Sequence, residues 1–168
     1  IDAGRSLMWV NVLQLFGGAM LTVAFYPLIY VFERIFNLVS TTRLEELADT
    51  NSKLLRELNA KAPGTFQHSL QVMNMVDEAG HSVHANVPLL RAAALYHDIG
   101  KMRNPLCFIE NSSRTPGSPN YHDGKSPRES ARDIIAHVQD GLEIAKANNL
   151  PNEISDFILT HHGTSFTA

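Results

Sequence analysis

Residues 94–101 read Ala-Leu-Tyr-His-Asp-Ile-Gly-Lys (ALYHDIGK), a run of small and apolar side chains that delivers His97 and Asp98 side by side. The stretch leading into it, VPLLRAAALY, is alanine-rich, with Pro88 where a helix starts and Gly100 where one ends. The pattern predicts a buried helix closed by an imidazole and a carboxylate. Neither group is stable in apolar surroundings without a partner.

The flanking segments are helical as well. On one side, TFQHSLQVMNMVDEAGHSV places Phe66, Leu70, Met73 and Val76 or Val83 on one stripe, after Pro63 and Gly64 have ended an amphipathic segment marked by Leu44, Leu47, Leu54, Leu55 and Leu58. In that segment, Thr41 or Thr42 followed by Glu45 has the spacing of a capping box. On the other side, Ser126, Pro127 and Glu129 form a helix start before ESARDIIAHVQDGLEIAKANN, and Pro151 opens a last helix ending in His161 and His162. Between them, MRNPLCFIENSSRTPGSPNYHDGK, rich in proline and glycine, reads as a long loop. No alternating strand pattern occurs, so the predicted fold class is all-α.

The N-terminus has a different character. Ser6 to Phe32 contains no charged residue, a stretch longer than the roughly 20 residues a helix needs to cross a bilayer. Trp9, Tyr26 and Tyr30 lie near its ends, as interfacial aromatics do. A cleavable signal peptide fits poorly, because the apolar stretch is too long and lacks a basic start. Arg34 and Arg43 after the span, against Arg5 before it, place the C-terminal side of the span in the cytoplasm by a margin of one charge. The predicted organisation is a transmembrane helix in 1–33, amphipathic connector helices in 34–63 and a helical domain in 64–168.

Composition narrows the chemistry. The chain has 168 residues, 18% charged, with a formal net charge of -3, so it presents no basic face for DNA. Cys107 is the single cysteine, which excludes an intrachain disulfide and a thiolate zinc site. Histidine is the informative residue: eight occur, and His68, His97, His137, His161 and His162 fall on four helical segments next to apolar residues. One histidine on an apolar face is more often a hydrogen-bonded core residue than a ligand. Five with a carboxylate point instead to a first-row transition metal held by nitrogen and oxygen. His81 and His84, in a polar turn, read as solvated.

These residues resemble a known family. His68 followed by His97 and Asp98, with HDIGK intact, resembles the HD superfamily of metal-dependent phosphohydrolases. GTFQHS, YHDIGKMRNP, FIEN, HDGKSP, AHVQDGLEIAK and HHGT match in order the pattern of one branch, the membrane receptors with seven transmembrane helices and a cytoplasmic HD domain. Members of that branch hydrolyse cyclic di-AMP.

The resemblance implies an HD-domain helical bundle preceded by the last transmembrane helix of a larger membrane protein. It implies two metal ions, iron or manganese. His68, His97 and Asp98 would hold one, and Asp98, His137, His161 and His162 the other, with Asp98 as the bridge. It implies hydrolysis of cyclic di-AMP to linear pApA by metal-activated water. Lys101 is a candidate for a phosphate, with a catalytic or substrate-binding role, and Arg114 and His122 are candidate substrate contacts from the loop. The implied partners are the cyclic dinucleotide and the lipid bilayer, with homodimerisation left open. The branch also uses an aspartate beyond HHG, and this sequence ends six residues after His162. The expectation is therefore a fragment truncated at both ends, whose turnover is in question. The alternatives are another HD phosphohydrolase acting on nucleotides, or a non-catalytic nucleotide-binding receptor module. The HD-GYP branch is disfavoured because HHGTSFTA lacks the Gly-Tyr-Pro motif.

Overall fold

The computed structural model describes residues 2–36, 38–112 and 120–163, and the chain divides into two compact units, Ile1–Ser40 and Thr41–Ala168. Every regular element among the described residues is helical.

The first unit is one helix, α1 (Asp2–Phe36). Leu7–Glu33 is long and apolar enough to cross a membrane, and none of that window is buried by protein. Trp9, Phe16, Phe25 and Tyr30 stand exposed along it, a surface that lipid would cover and water would not. Pro27 lies inside the helix, and the Thr22 hydroxyl donates to the Gly18 carbonyl at 2.9 Å. A polar group satisfied within its own helix suits a hydrocarbon environment.

The second unit holds α2 (Thr41–Leu47), α3 (Lys53–Lys61), α4 (Pro63–Ser82), α5 (Val87–Tyr96), α6 (Pro127–Ala147) and α7 (Asn152–Thr160). Leu44, Leu47, Leu55 and Leu58 bury the apolar stripe of α2 and α3, and α5 supplies Ala92 through Tyr96 to the same core. The alanines keep α5 slim, which lets α4, α2 and α7 pack around it. Tyr96, buried at the end of α5, donates its hydroxyl to the Leu47 carbonyl at 2.9 Å and so ties α5 to the end of α2.

The helix starts obey their local signals. Asn86 accepts from the Leu89 amide with Pro88 in the first turn of α5. Ser126 and Glu129 form a reciprocal capping box at α6, with the Glu129 carboxylate accepting from the Ser126 amide at 2.8 Å.

Three details differ from the sequence reading. Pro63 and Gly64 do not form a terminating turn; α3 stops at Lys61 and Pro63 opens α4, where a missing amide costs nothing. Gly100 does not stop α5, which ends at Tyr96, but sits buried in a 3-10 turn, Ile99–Arg103. The loop is not without regular structure, since it carries 3-10 turns at Pro105–Cys107 and Ile109–Asn111.

Candidate metal centre

α4 carries His68 in its second turn. His97 and His161 are the C-caps of α5 and α7, Asp98 comes directly after His97, and His137 lies mid-way along α6. Each cap position matters, because the last carbonyls of a helix lack intrahelical partners. His97 Nδ1 bonds the Ala94 carbonyl at 2.7 Å, His161 Nδ1 the Ile158 carbonyl at 2.8 Å, and His137 Nδ1 the Ile134 carbonyl. A carbonyl can only accept, so Nδ1 carries the proton in all three rings. In the neutral rings the lone pair is then on Nε2.

Those lone pairs converge. His137 Nε2 lies 3.4 Å from His161 Nε2 and 3.1 Å from His162 Nε2. Asp98 is the meeting point: Oδ1 stands 3.5 Å from both His137 and His161 Nε2, and Oδ2 stands 3.2 Å from His97 Nε2. Ligand atoms of His68, His97 and Asp98 lie within 4.8 Å of one another, as do those of His137, His161 and His162. Asp98 and His137 are buried at 3% and 4% exposure, and Asp98 Oδ1 has no hydrogen-bond partner.

This donor set fits divalent cations. Electron pairs facing one another in a buried site repel unless a positive charge separates them, and neutral imidazole with carboxylate is a common donor combination for first-row metals. The titration shifts describe the same crowding. Burial would raise the Asp98 carboxyl, but the His161 and His97 imidazoles, when a proton sits on their Nε2, and the charge of Lys101 hold it well below the usual carboxylate range. Burial lowers the His97 imidazole, yet Asp98 outweighs it and the net shift is upward. Burial pushes His137 and His162 down, favouring the neutral ring that binds metal.

The expectation that all five imidazoles face apolar surroundings holds in part. His68 and His162 are exposed, and they stand at the mouth of a cavity of about 430 Å³ whose floor includes His97, Asp98 and His161. Val72, Val76, Leu90 and Phe157 form its apolar wall.

Lys101 lines the same cavity, with Nζ 2.9 Å from Asp98 Oδ2 and 2.8 Å from Glu110 Oε1. His122 does not line it: Nε2 bonds the Cys107 carbonyl at 2.9 Å. Arg114 lies outside the described residues. Sequence reasoning did not single out Glu110 or Asn111, although both stand in the quoted FIEN motif.

The profile of the HD domain family matches residues 65–168, which contain all of these side chains. The chain belongs to the HD domain family. It is 43% identical over 150 residues to the cyclic-di-AMP phosphodiesterase PgpH of Listeria monocytogenes, covering 89% of this chain and 20% of that protein. It is 39% identical over 160 residues to PgpH of Bacillus subtilis, covering 95% and 22%. The chain thus spans about a fifth of the length of these curated relatives. Among solved structures, the HD domain of L. monocytogenes PgpH in complex with cyclic-di-AMP matches with a TM-score of 0.64 at 40% identity, over 70% of this chain and 53% of that one.

Proposed function

We propose that this HD domain is a metal-dependent phosphodiesterase that hydrolyses cyclic di-AMP to the linear dinucleotide pApA. The observation that carries the reading is the double-sided setting of Asp98, one oxygen toward His97 and the other toward His137 and His161. In this reading His68, His97 and Asp98 hold one iron or manganese ion, and Asp98, His137, His161 and His162 hold the second. Relatives named as cyclic-di-AMP phosphodiesterases and a neighbouring structure bound to cyclic-di-AMP support the substrate class.

When bound, such cations supply Lewis-acid polarisation of a phosphate and a nucleophile at neutral pH. The chain's own residues supply the rest. The backbone carbonyls of Ala94, Ile134 and Ile158 keep three Nε2 lone pairs pointed inward. Asp98 and His137 are buried, which strengthens the charge interactions they make. Lys101 stands at the cavity floor as a point charge for a phosphate oxygen. Hydrolysis adds one water across one phosphodiester bond: oxygen attaches to phosphorus and a proton goes to the departing ribose oxygen.

In this reading α1 anchors the domain in the bilayer and the domain lies in the cytoplasm. Incubation with cyclic di-AMP and manganese, beside cyclic di-GMP, tests the function. Formation of pApA that is lost in Asp98→Ala supports it. Tight binding of cyclic di-AMP without product would replace it with a nucleotide-binding receptor module.

A further inference from the structure

Glu110 has no assigned part in the metal centre, yet its carboxylate is built into the wall behind it. The ammonium of Lys101 is shared between Asp98 Oδ2 and Glu110 Oε1, and the Lys101 side chain is 14% exposed. Asp98 Oδ2 is also the oxygen beside His97. A divalent cation held by His68, His97 and Asp98 needs that oxygen, and it would face the ammonium a few ångströms away. Lys101 is packed on one side by the Phe108 ring, 4.7 Å from Nζ, and lines the cavity with little of its side chain exposed. An unpaired buried ammonium is costly, so release of Asp98 requires a second carboxylate already in place.

Glu110 is in place independently of Lys101. The Thr65 hydroxyl donates to Glu110 Oε1 at 3.3 Å, and Asn111 accepts from the Thr65 amide at 3.0 Å while donating to its hydroxyl at 2.8 Å. The backbones meet directly as well: a Cβ on Gly64 would stand 1.9 Å from the Glu110 carbonyl oxygen. These contacts fix Glu110 to the first turn of α4, one turn before His68 on the same helix.

We propose that Glu110 is a positioning residue that holds the Lys101 ammonium off Asp98 and thereby sets how strongly the His68–His97–Asp98 trio takes a divalent cation. The inference rests on the metal-centre reading above. Removing the Glu110 charge leaves Lys101 with Asp98 alone, so the ammonium competes with the cation. Removing Lys101 removes the competitor, and Glu110 then has nothing to act through.

The test is a calorimetric titration of manganese(II) into the metal-free full chain in detergent, with no turnover involved. Glu110→Gln, which keeps an acceptor for Thr65, weakens manganese binding by roughly 10- to 100-fold, the range for outer-shell partners of metal ligands. Lys101→Met strengthens it. In the Lys101→Met background, Glu110→Gln changes affinity less than about threefold, as expected for residues acting in series. Equal affinity of parent and Glu110→Gln overturns the proposal, as does an equal loss with and without Lys101, which would mean a direct charge effect. Lys101→Met stands as a separate arm should Glu110→Gln fold poorly, and unchanged or weaker binding there also overturns it. A parent chain that binds no manganese overturns the metal-centre reading together with the proposal, a result distinct from the others.

Discussion

Gly100 and His137 touch backbone to backbone. A Cβ on Gly100 would stand 1.8 Å from the His137 carbonyl oxygen and 2.5 Å from the Gly141 amide nitrogen. The two residues belong to the turn after Asp98 and to α6, so this approach sets the distance between Asp98 and the imidazole of His137. Gly100→Ala must push the turn and the helix apart. Overpacking of a close-packed contact costs typically 1–3 kcal/mol, and here the obstacle is backbone, so about 3 kcal/mol or more is expected. Chemical denaturation checks this, with Gly17→Ala, which meets nothing within 4 Å, as the comparison.

Tyr96 gives a second stability prediction. Its hydroxyl is the donor to the buried end of α2, and Tyr96→Phe leaves the Leu47 carbonyl without it while keeping the ring. A buried acceptor stripped of its donor costs about 1–3 kcal/mol. Loss of that size in urea unfolding is expected, with the helical signal of the folded state retained.

Manganese should stabilise the folded chain. If the cation binds only the native state, a concentration one hundred times its dissociation constant adds about 2.7 kcal/mol to the unfolding free energy. Asp98→Asn, which preserves shape but removes the charge shared by both trios, abolishes the increment at the same manganese concentration. Thermal melts with and without manganese check it, and an equal increment in the variant would count against Asp98 as the bridge.

The cap of α6 makes a pH prediction. Hydrogen bonds from Ser126 hold the Glu129 carboxyl below its ordinary value of 4.5. A depressed acid contributes stability that is present above pH 4.5 and lost as the pH falls through the lower value of the folded state. Ser126→Ala removes the hydroxyl's share of that shift and keeps the amide's, so the difference in melting temperature between parent and variant should narrow below pH 4.5. A gap that stays constant to pH 3 would show that the bond from the Ser126 hydroxyl to the Glu129 carboxylate contributes nothing.

Much of the second unit was legible in the sequence because its signals are local. Pro88, Ser126–Glu129 and the leucine stripe of 44–58 each act within a turn or two of the chain, and the structure obeys them. The histidines were legible as a set because burying imidazoles without a shared purpose is expensive. What remained hidden depends on tertiary approach. Gly100 reads as a helix stop in one dimension, and the backbone of α6 that it accommodates lies far along the chain. Glu110 reads as one more loop carboxylate until Lys101 and Thr65 are seen on either side of it. The exposure of His68 and His162 comes from their standing at a cavity mouth, which a helical stripe cannot show.

The imidazoles of His97 and His161 serve their helices and the centre at once, as C-caps bonded to Ala94 and Ile158. One residue inserted into either helix would turn its terminal ring by about 100° and advance it by 1.5 Å, taking Nε2 away from Asp98. The centre therefore acts as a ruler for α5 and α7. Relatives that keep these ligands should vary in length between the helices and hold the two helices themselves to a fixed count.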